Sequence, residues 1–215
     1  MKKVNWVLGL VLAVLGLVTL PAAAFVVNGN IIDENFDSTA TGNGSLPADW
    51  GYLWNHSYVG VDASYSVSPT HSLRVSSPNW GHGQAVAPSI TSAGMEFGVE
   101  FNFMVGTSAM VDYVLCQFSH PSNGRGGELY VQPDTSKTVK LCKGTSEVLA
   151  LLDVSVVIWH NLKLDFNNGD FDIYLDDVKI GEHSCSTLYL KNILFGPNGA
   201  DATDSGHVWY DDVKV

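Results

Sequence analysis

The chain has 215 residues, of which 46% are hydrophobic and only 15% charged, and its formal net charge is −11 at pH 7. This composition is too apolar for a disordered chain and too poor in charge for a long exposed helix or coiled coil. The acidic balance also argues against nucleic acid as a partner, because no basic cluster exists to bind phosphates.

Residues 1–24 have the layout of a secretory signal peptide. Two lysines precede the apolar stretch 4–20, and the small residues Ala22 and Ala24 follow it. The pattern predicts secretion with cleavage after Ala24, and no membrane span in the mature protein. The alternative is a retained anchor, because the apolar stretch approaches the ~18–20 residues that cross a bilayer.

The rest of the chain, residues 25–215, predicts one domain built of strands. Apolar residues alternate with polar ones, as in Leu162, Leu164 and Phe166, and turn residues separate the segments. Residues 147–159 could also form a helix, but their β-branched residues favour a strand. The predicted strands are 26–36, 72–76, 84–90, 99–105, 111–119, 128–132, 137–142, 147–152, 162–166, 171–175, 178–180, 187–195 and 207–215. Short strands at intervals of ~8–12 residues predict a sandwich or a barrel.

Three cysteines, Cys116, Cys142 and Cys185, would enter an oxidising compartment. They allow one disulfide and one free thiol, in any of three pairings, or three buried thiols that pack as small apolar side chains. The spacing does not distinguish these alternatives.

Three parts of the sequence resemble the concanavalin A-like lectin/glucanase superfamily, which includes the laminin-G-like jelly rolls. They are Glu34–Asp37 with Leu46–Trp50, Trp159–Leu164 with Phe171–Asp177, and the closing segment Tyr210–Val215. Asp177 stands where glycine is usual in the family. The resemblance implies a secreted all-β domain, a single jelly-roll β-sandwich of two antiparallel sheets. The superfamily includes lectins, glycosidases, lyases and adhesive domains, so this fold does not by itself determine the function.

The catalytic motifs of the superfamily are incomplete here. Glu96 and Glu100 lie on one strand, but Gly98 stands where glycosidases of this type carry Asp. Gln117 and His120 are three residues apart, and the lyases of the superfamily place this pair two apart. We therefore predict no catalytic residue.

Two polar stretches combine aromatic residues with histidine, as sugar-binding sites do. The first contains Trp54, His56 and Tyr58, and the second contains Trp80 and His82. A flat ring stacks on a pyranose while imidazoles and amides bind its hydroxyls. Both tryptophans could instead belong to the core, as we expect for Trp50, Trp159 and Trp209. A third candidate loop contains His120 and Arg125.

These residues predict a noncatalytic, lectin-like carbohydrate-binding domain whose partner is a polysaccharide or glycan. The alternatives are a polysaccharide-degrading enzyme, either a glycoside hydrolase or a lyase, and a cell-surface structural or adhesive subunit. The expected location is extracellular or at the cell surface.

One metal site is predicted between the first and the last strand. Glu34 shares parity with Ile32 and Phe36, and Asp211 shares parity with Val213, so both carboxylates are expected to point inward. Such a pair is costly unless a cation or hydrogen bonds satisfy it, or unless it is protonated. The resemblance implies a structural calcium ion, for which backbone carbonyls would complete the shell.

Overall fold

The computed structural model describes residues 32–77, 83–88, 96–106, 116–119, 129–133, 138–143, 147–155, 157–167, 170–184, 192–196 and 206–215. These residues form two antiparallel sheets and one 3-10 helix, His56–Tyr58. The predicted all-β jelly-roll sandwich is therefore confirmed. Among these described residues, no helix is long and apolar enough to cross a membrane.

The large sheet has nine strands. In spatial order they are β14 (Val178–Ser184), β13 (Asp170–Leu175), β12 (Trp159–Asn167), β7 (Glu96–Val105), β16 (Gly206–Lys214), β5 (Ser72–Ser77), β4 (Val59–Asp62) and β2 (Gly42–Asn43), with β1 (Asp33–Glu34) paired to β16.

The small sheet has seven strands. In spatial order they are β11 (Glu147–Asp153), β10 (Thr138–Lys143), β9 (Leu129–Pro133), β8 (Cys116–Ser119), β15 (Asn192–Phe195), β6 (Gly83–Val86) and β3 (Gly51–Trp54). The 3-10 helix connects β3 of this sheet to β4 of the large sheet.

Aromatic side chains fill the space between the sheets. Phe195 of the small sheet contacts Phe101 and Tyr210 of the large sheet, with ring centroids 5.4 and 4.8 Å apart. Trp50 stacks on Phe195 at 5.7 Å and meets Phe36 edge-on at 5.2 Å. The prediction that Trp50 belongs to the core is confirmed.

Residues 147–153 are a strand, as their β-branched neighbours indicated, and the predicted strands after residue 96 overlap observed ones. Residues 26–31 of the first predicted strand lie outside the described part of the chain. The prediction missed β2, β3 and β4. In β4, Gly60 lies so close to the Gly42 carbonyl oxygen that a Cβ would collide with it. Strands of only two to four residues, as β2, β3 and β4 are, offer too few positions for an alternating pattern to be recognised.

Two of the expected core tryptophans lie on the outer face of the large sheet instead. Trp159 pairs in register with Met104, which pairs with Trp209. Because Val208 and Tyr210 face the core, Trp209 between them faces away from it. It is nevertheless buried, since the Tyr65 ring lies against it with centroids 4.9 Å apart.

The loop that carries Tyr65, residues 63–71, is named here the covering loop because it folds over this outer face. The Asp211 carboxylate accepts hydrogen bonds from the Val67 and Ser68 amides at 2.8 and 2.9 Å. Nearer β5, Asp37 accepts bonds from Thr70 at 2.9 Å and from the His71 amide at 3.0 Å. These bonds outweigh the opposing effect of burial and lower the pKa of Asp37.

Candidate functional site

Two exposed rings lie side by side at the end of β3. The Tyr52 side chain is 53% exposed, and its ring centroid is 5.4 Å from that of His56, which is also exposed. The two residues are called the ring pair below. Large aromatic side chains are usually at least half covered in a folded domain, so an exposed pair indicates a contact surface.

The local sequence fixes the position of His56. Asn55 precedes the 3-10 helix, and its side-chain oxygen accepts a hydrogen bond from the Ser57 amide at 3.0 Å. Gly44 lies against the imidazole with φ +80°, and a Cβ there would be 3.0 Å from its Cδ2 atom. Glycine at position 44 therefore allows the chain after β2 to pack on the His56 ring.

The structure brings the first predicted stretch to the end of the second. Trp54 and Gly83 are register partners in the pairing of β3 with β6, and Gly83 directly follows His82. Gly83 also lies against the Asn55 carbonyl oxygen and Tyr58, where a Cβ would meet both. The Trp54 side chain, Trp80 and His82 themselves lie outside the described part of the structure.

The third predicted loop begins at the opposite end of the small sheet. His120 and Arg125 lie outside the described residues, but His120 follows Ser119, the last residue of β8. The register from β6 through β15 to β8 places Ser119 five residues along the strand direction from Gly83, or about 17 Å. The strand that leads into this loop therefore ends far from the ring pair.

Tyr52 was missed in the sequence because β3 was missed. The stretch around Trp54 looked like a loop beside turn residues, and only the pairing of Gly51–Trp54 with β6 shows that it begins as a strand. Tyr52 and Trp54 share parity on this strand, so the spacing of the two aromatic residues was the available signal.

A pocket of about 420 Å³ opens on the outer face of the large sheet, beside β2. It is lined by Thr41, Gly42, Val61, Asp62, Ala63, Ser64 and Arg74 and is named the Arg74 pocket. Asn43 in β2 contacts Arg74, and the next residue, Gly44, contacts His56. The chain at residues 43–44 thus connects the two surfaces.

The two predicted metal ligands are placed differently from one another. Glu34 pairs in register with the buried Val213, as expected for an inward side chain. The predicted inward orientation of Asp211 is wrong, because a bulge between Asp211 and Lys214 interrupts the alternation of β16. Asp211 instead pairs with Asn102 on the outer face and is buried under the covering loop.

Hydrogen bonds within the protein already satisfy the Asp211 carboxylate. Besides the Val67 and Ser68 amides, the Ser68 hydroxyl and the Asp212 amide donate to it at 2.9 and 2.8 Å. Burial raises the pKa of Asp211, against the opposing effect of these donors. This donor set fits hydrogen bonding better than it fits a shared calcium ion, which needs oxygen lone pairs that these donors occupy.

Other carboxylates surround Glu34. Burial raises its pKa, and the negative charges of Asp49, Asp33 and Asp211 add to the rise, while a hydrogen bond from the Phe36 amide opposes it. The described residues contain no cluster of three or more His, Cys, Asp or Glu arranged to hold a metal ion. The calcium ion between Glu34 and Asp211 stays a prediction.

Glu96 and Glu100 lie on β7 with Gly98 between them, so the position where glycosidases of this type carry Asp has no carboxylate. The Glu100 carboxylate accepts a hydrogen bond from the side-chain amide of Asn161 at 3.1 Å.

No protein-family model matches the chain, and no curated protein matches it. Solved structures do match. A cellulose-induced protein, Cip1, is 13% identical with a TM-score of 0.59, and the match covers 85% of this chain and 95% of that one. A sialidase is 13% identical with a TM-score of 0.65 over 86% of this chain, which spans 18% of the sialidase.

Domain 4 of AbnA, a GH43 extracellular arabinanase from Geobacillus stearothermophilus, solved in complex with arabinotriose, is also similar. It is 10% identical with a TM-score of 0.55, over 87% of this chain and 95% of that one. Identities this low establish a shared fold only, and the function must be argued from the residues of this chain.

Proposed function

We propose that this protein is a noncatalytic carbohydrate-binding domain that works outside the cell. The observation that carries the proposal is the ring pair, Tyr52 and His56, exposed at the end of β3 where Trp54 and Gly83 are register partners. Exposed rings beside hydrogen-bonding groups have the chemistry that a sugar requires, an apolar face for its C–H groups and polar atoms for its hydroxyls.

The similar folds support the same class of ligand. Their names connect them with carbohydrates: a cellulose-induced protein, a sialidase, and an arabinanase domain in complex with arabinotriose. The net charge of −11 further favours neutral or basic glycans over polyuronates, which the protein would repel.

Binding can be tested with affinity electrophoresis on a panel of neutral polysaccharides, with pectate as the acidic comparison. We expect Tyr52→Ala, Trp54→Ala and Trp80→Ala each to weaken binding about tenfold, the equivalent of ~1.4 kcal/mol for one stacked ring. The Tyr52 variant should keep the melting temperature of the unmutated protein, because its ring is exposed and contributes little to the core. The proposal predicts the same for the two tryptophan variants.

Two control variants make the result interpretable. Trp50→Ala should lower the melting temperature strongly without a specific role in binding, since Trp50 is buried and removing a packed tryptophan costs about 3–5 kcal/mol. Tyr174→Ala removes a tyrosine from β13, which lies at the opposite side of the large sheet from β4 and β2, the strands that contact the 3-10 helix of His56, and should leave affinity unchanged. A large loss of stability in the Trp54 or Trp80 variants would place these rings in the core.

The same panel tests the enzymatic alternative. Incubation with each polysaccharide should yield no new reducing ends and no absorbance of unsaturated uronate. Either product would show an enzyme, and self-assembly without any binding would instead favour a structural subunit.

The extracellular location has its own test: the exported protein should have the intact mass of a chain that begins at Phe25. A membrane-bound product that keeps Lys2 and Lys3 would contradict secretion with cleavage.

A further inference from the structure

The Arg74 pocket presents a guanidinium group whose orientation is fixed. Its Nη1 atom is 2.8 Å from Asp62 Oδ2, and its Nη2 atom donates a hydrogen bond to Asn43 Oδ1 at 2.7 Å. Asp62 is held in turn by a hydrogen bond from the Ser64 amide at 2.6 Å. The pocket therefore offers preorganised donors and acceptors side by side, with opposite charges that balance each other.

Two buried donors in this region lack an acceptor. Arg74 Nε and Trp209 Nε1 are both inaccessible and make no hydrogen bond within the described part of the protein. Arg74 and Trp209 are register partners on β5 and β16, so they are neighbours on one face of the sheet. A buried donor without an acceptor is costly, so the hydrogen bonds that remain to Arg74 are those of its two terminal nitrogens, which lie at the pocket.

We propose that the Arg74 pocket binds a neutral sugar unit through two adjacent hydroxyl groups. A vicinal diol can accept a hydrogen bond from Arg74 and donate one to Asp62 at the same time. A free anion would meet the negative charge of Asp62, so the paired charges select a neutral polyol over a uronate or a sulfate. The inference rests on the proposed function, because it assigns a second subsite to the same class of glycan.

The test uses nuclear magnetic resonance on the folded protein labelled with ¹⁵N, with arabinotriose and xylotriose as neutral probes and trigalacturonate as the acidic one. The Arg74 Nε–H signal and the amides of Gly42 and Ser64 report on the pocket. The amides of Gly44 and His56 report on the ring pair. We expect a neutral trisaccharide to shift both groups of signals and trigalacturonate to shift neither.

Each other result identifies which idea fails. Shifts at Gly44 and His56 alone would overturn the pocket inference and leave the proposed function in place. Shifts at the Arg74, Gly42 and Ser64 signals alone would support the pocket and contradict the role of the ring pair. A shift of the Arg74 signal with trigalacturonate alone would show that the pocket binds an anion and not a neutral sugar. No shift with either neutral probe would overturn both proposals.

Variants then measure the contribution of the charged pair. Asp62→Asn keeps the shape and removes the charged acceptor, and Arg74→Lys keeps the positive charge and removes the planar donor group. Each should weaken binding of the neutral probe tenfold or more. Asp165→Asn is the matched control, because Asp165 is paired with Lys163 at 3.0 Å on a different part of the large sheet, and its affinity should not change.

Thr41→Val, which removes a hydroxyl from the lining at nearly constant volume, serves as a milder variant should either charge variant fold poorly. Unchanged affinity in Asp62→Asn and Arg74→Lys, at a normal melting temperature, would overturn the inference.

Discussion

Two residues of the turn between β13 and β14 have the same conformation but different roles. Asp176 and Asp177 both have positive φ, 50° and 63°, as the turn of a two-residue hairpin requires. Asp176 uses its carboxylate, which is 2.8 Å from His160 Nδ1 and accepts a hydrogen bond from the Asn161 amide at 2.8 Å. Asp177 stands where the family that the sequence resembles carries glycine. Its positive φ is strained, because a Cβ disfavours the left-handed conformation.

We therefore expect opposite effects from the same substitution at the two positions. Asp177→Gly should raise the free energy of unfolding by a few tenths to about 1 kcal/mol, because glycine adopts positive φ without strain. Asp176→Gly should lower it, because the contacts with His160 and Asn161 are lost. Urea denaturation of the two variants measures the difference. A destabilised Asp177→Gly variant would contradict this account of the turn.

Glu34 makes the stability depend on pH. Its pKa is raised in the folded protein, chiefly by burial, so the native state holds its proton more tightly than the unfolded chain does. The stabilising contribution is fully present below the ordinary pKa of 4.5 and is lost as the pH rises through the folded value. We expect Glu34→Gln to flatten the fall in stability above pH 4.5, measured by urea denaturation at several pH values. Asp37 has a lowered pKa, so its contribution to stability is lost as the pH falls and not as it rises. Parallel stability curves for Glu34→Gln and the unmutated protein would contradict the role of Glu34.

At the scale of elements, Asp211 joins the covering loop to β16. Asp211→Ala would remove a fully buried carboxylate and leave the partly buried Val67 and Ser68 amides without their acceptor. We expect a loss of about 3 kcal/mol or more, with faster amide hydrogen exchange at these two positions. Asp165→Ala, which breaks a partly exposed ion pair, should cost less than about 1 kcal/mol. Equal losses in the two variants would show that the covering loop does not depend on Asp211.

The strand order also excludes one of the three cysteine pairings. Cys116 on β8 is the register partner of Val131 on β9, and Cys142 on β10 is the partner of the adjacent Tyr130. The two cysteines are thus two strands apart, about 9.5 Å, and a disulfide requires Cα atoms within about 7 Å. Peptide mapping under non-reducing conditions should show no Cys116–Cys142 link. The register gives no information on a link to Cys185, which lies outside the described residues.

The long strands were predictable because they have one apolar face. Phe101 and Phe103 in β7 alternate with polar residues, as do Leu162 and Leu164 in β12, and burial of that face determines the register. β3 was not predictable in this way, since Tyr52 is exposed although its register partner Ala85 is buried. A strand at the edge of a sheet extends beyond the core, so its pattern carries less information.

The candidate site was only partly predictable for two physical reasons. Counting parity along β16 gave the wrong orientation for Asp211, because a single bulge reverses every later position and the sequence does not mark where it occurs. The Arg74 pocket was missed because its residues come from β4, β5 and the chain around β2. Only the antiparallel pairing of these strands brings Asp62 to Arg74.

At the scale of the whole molecule, a calcium ion near the first and last strands would be visible as a change in global stability. If calcium binds at Glu34 and Asp211, adding it should raise the melting temperature and a chelator should lower it, since a ligand that binds only the folded state stabilises it. The cation would also remove the pH dependence due to Glu34, because it favours the ionised carboxylate. An unchanged melting temperature under both conditions would leave hydrogen bonds as the sole explanation for the buried carboxylates.

The pairing of β1 with β16 places residues that are far apart in the sequence next to each other. The Val215 amide donates a hydrogen bond to the Ile32 carbonyl oxygen at 2.9 Å, and Asp33 pairs with Lys214. Any polypeptide joined at residue 32 and any joined at residue 215 therefore leave the sandwich at one point. The domain can be inserted into a surface loop of a host protein through two short linkers. For the same reason a short peptide bridge could close residues 32–215 into a ring that is reopened at another exposed turn.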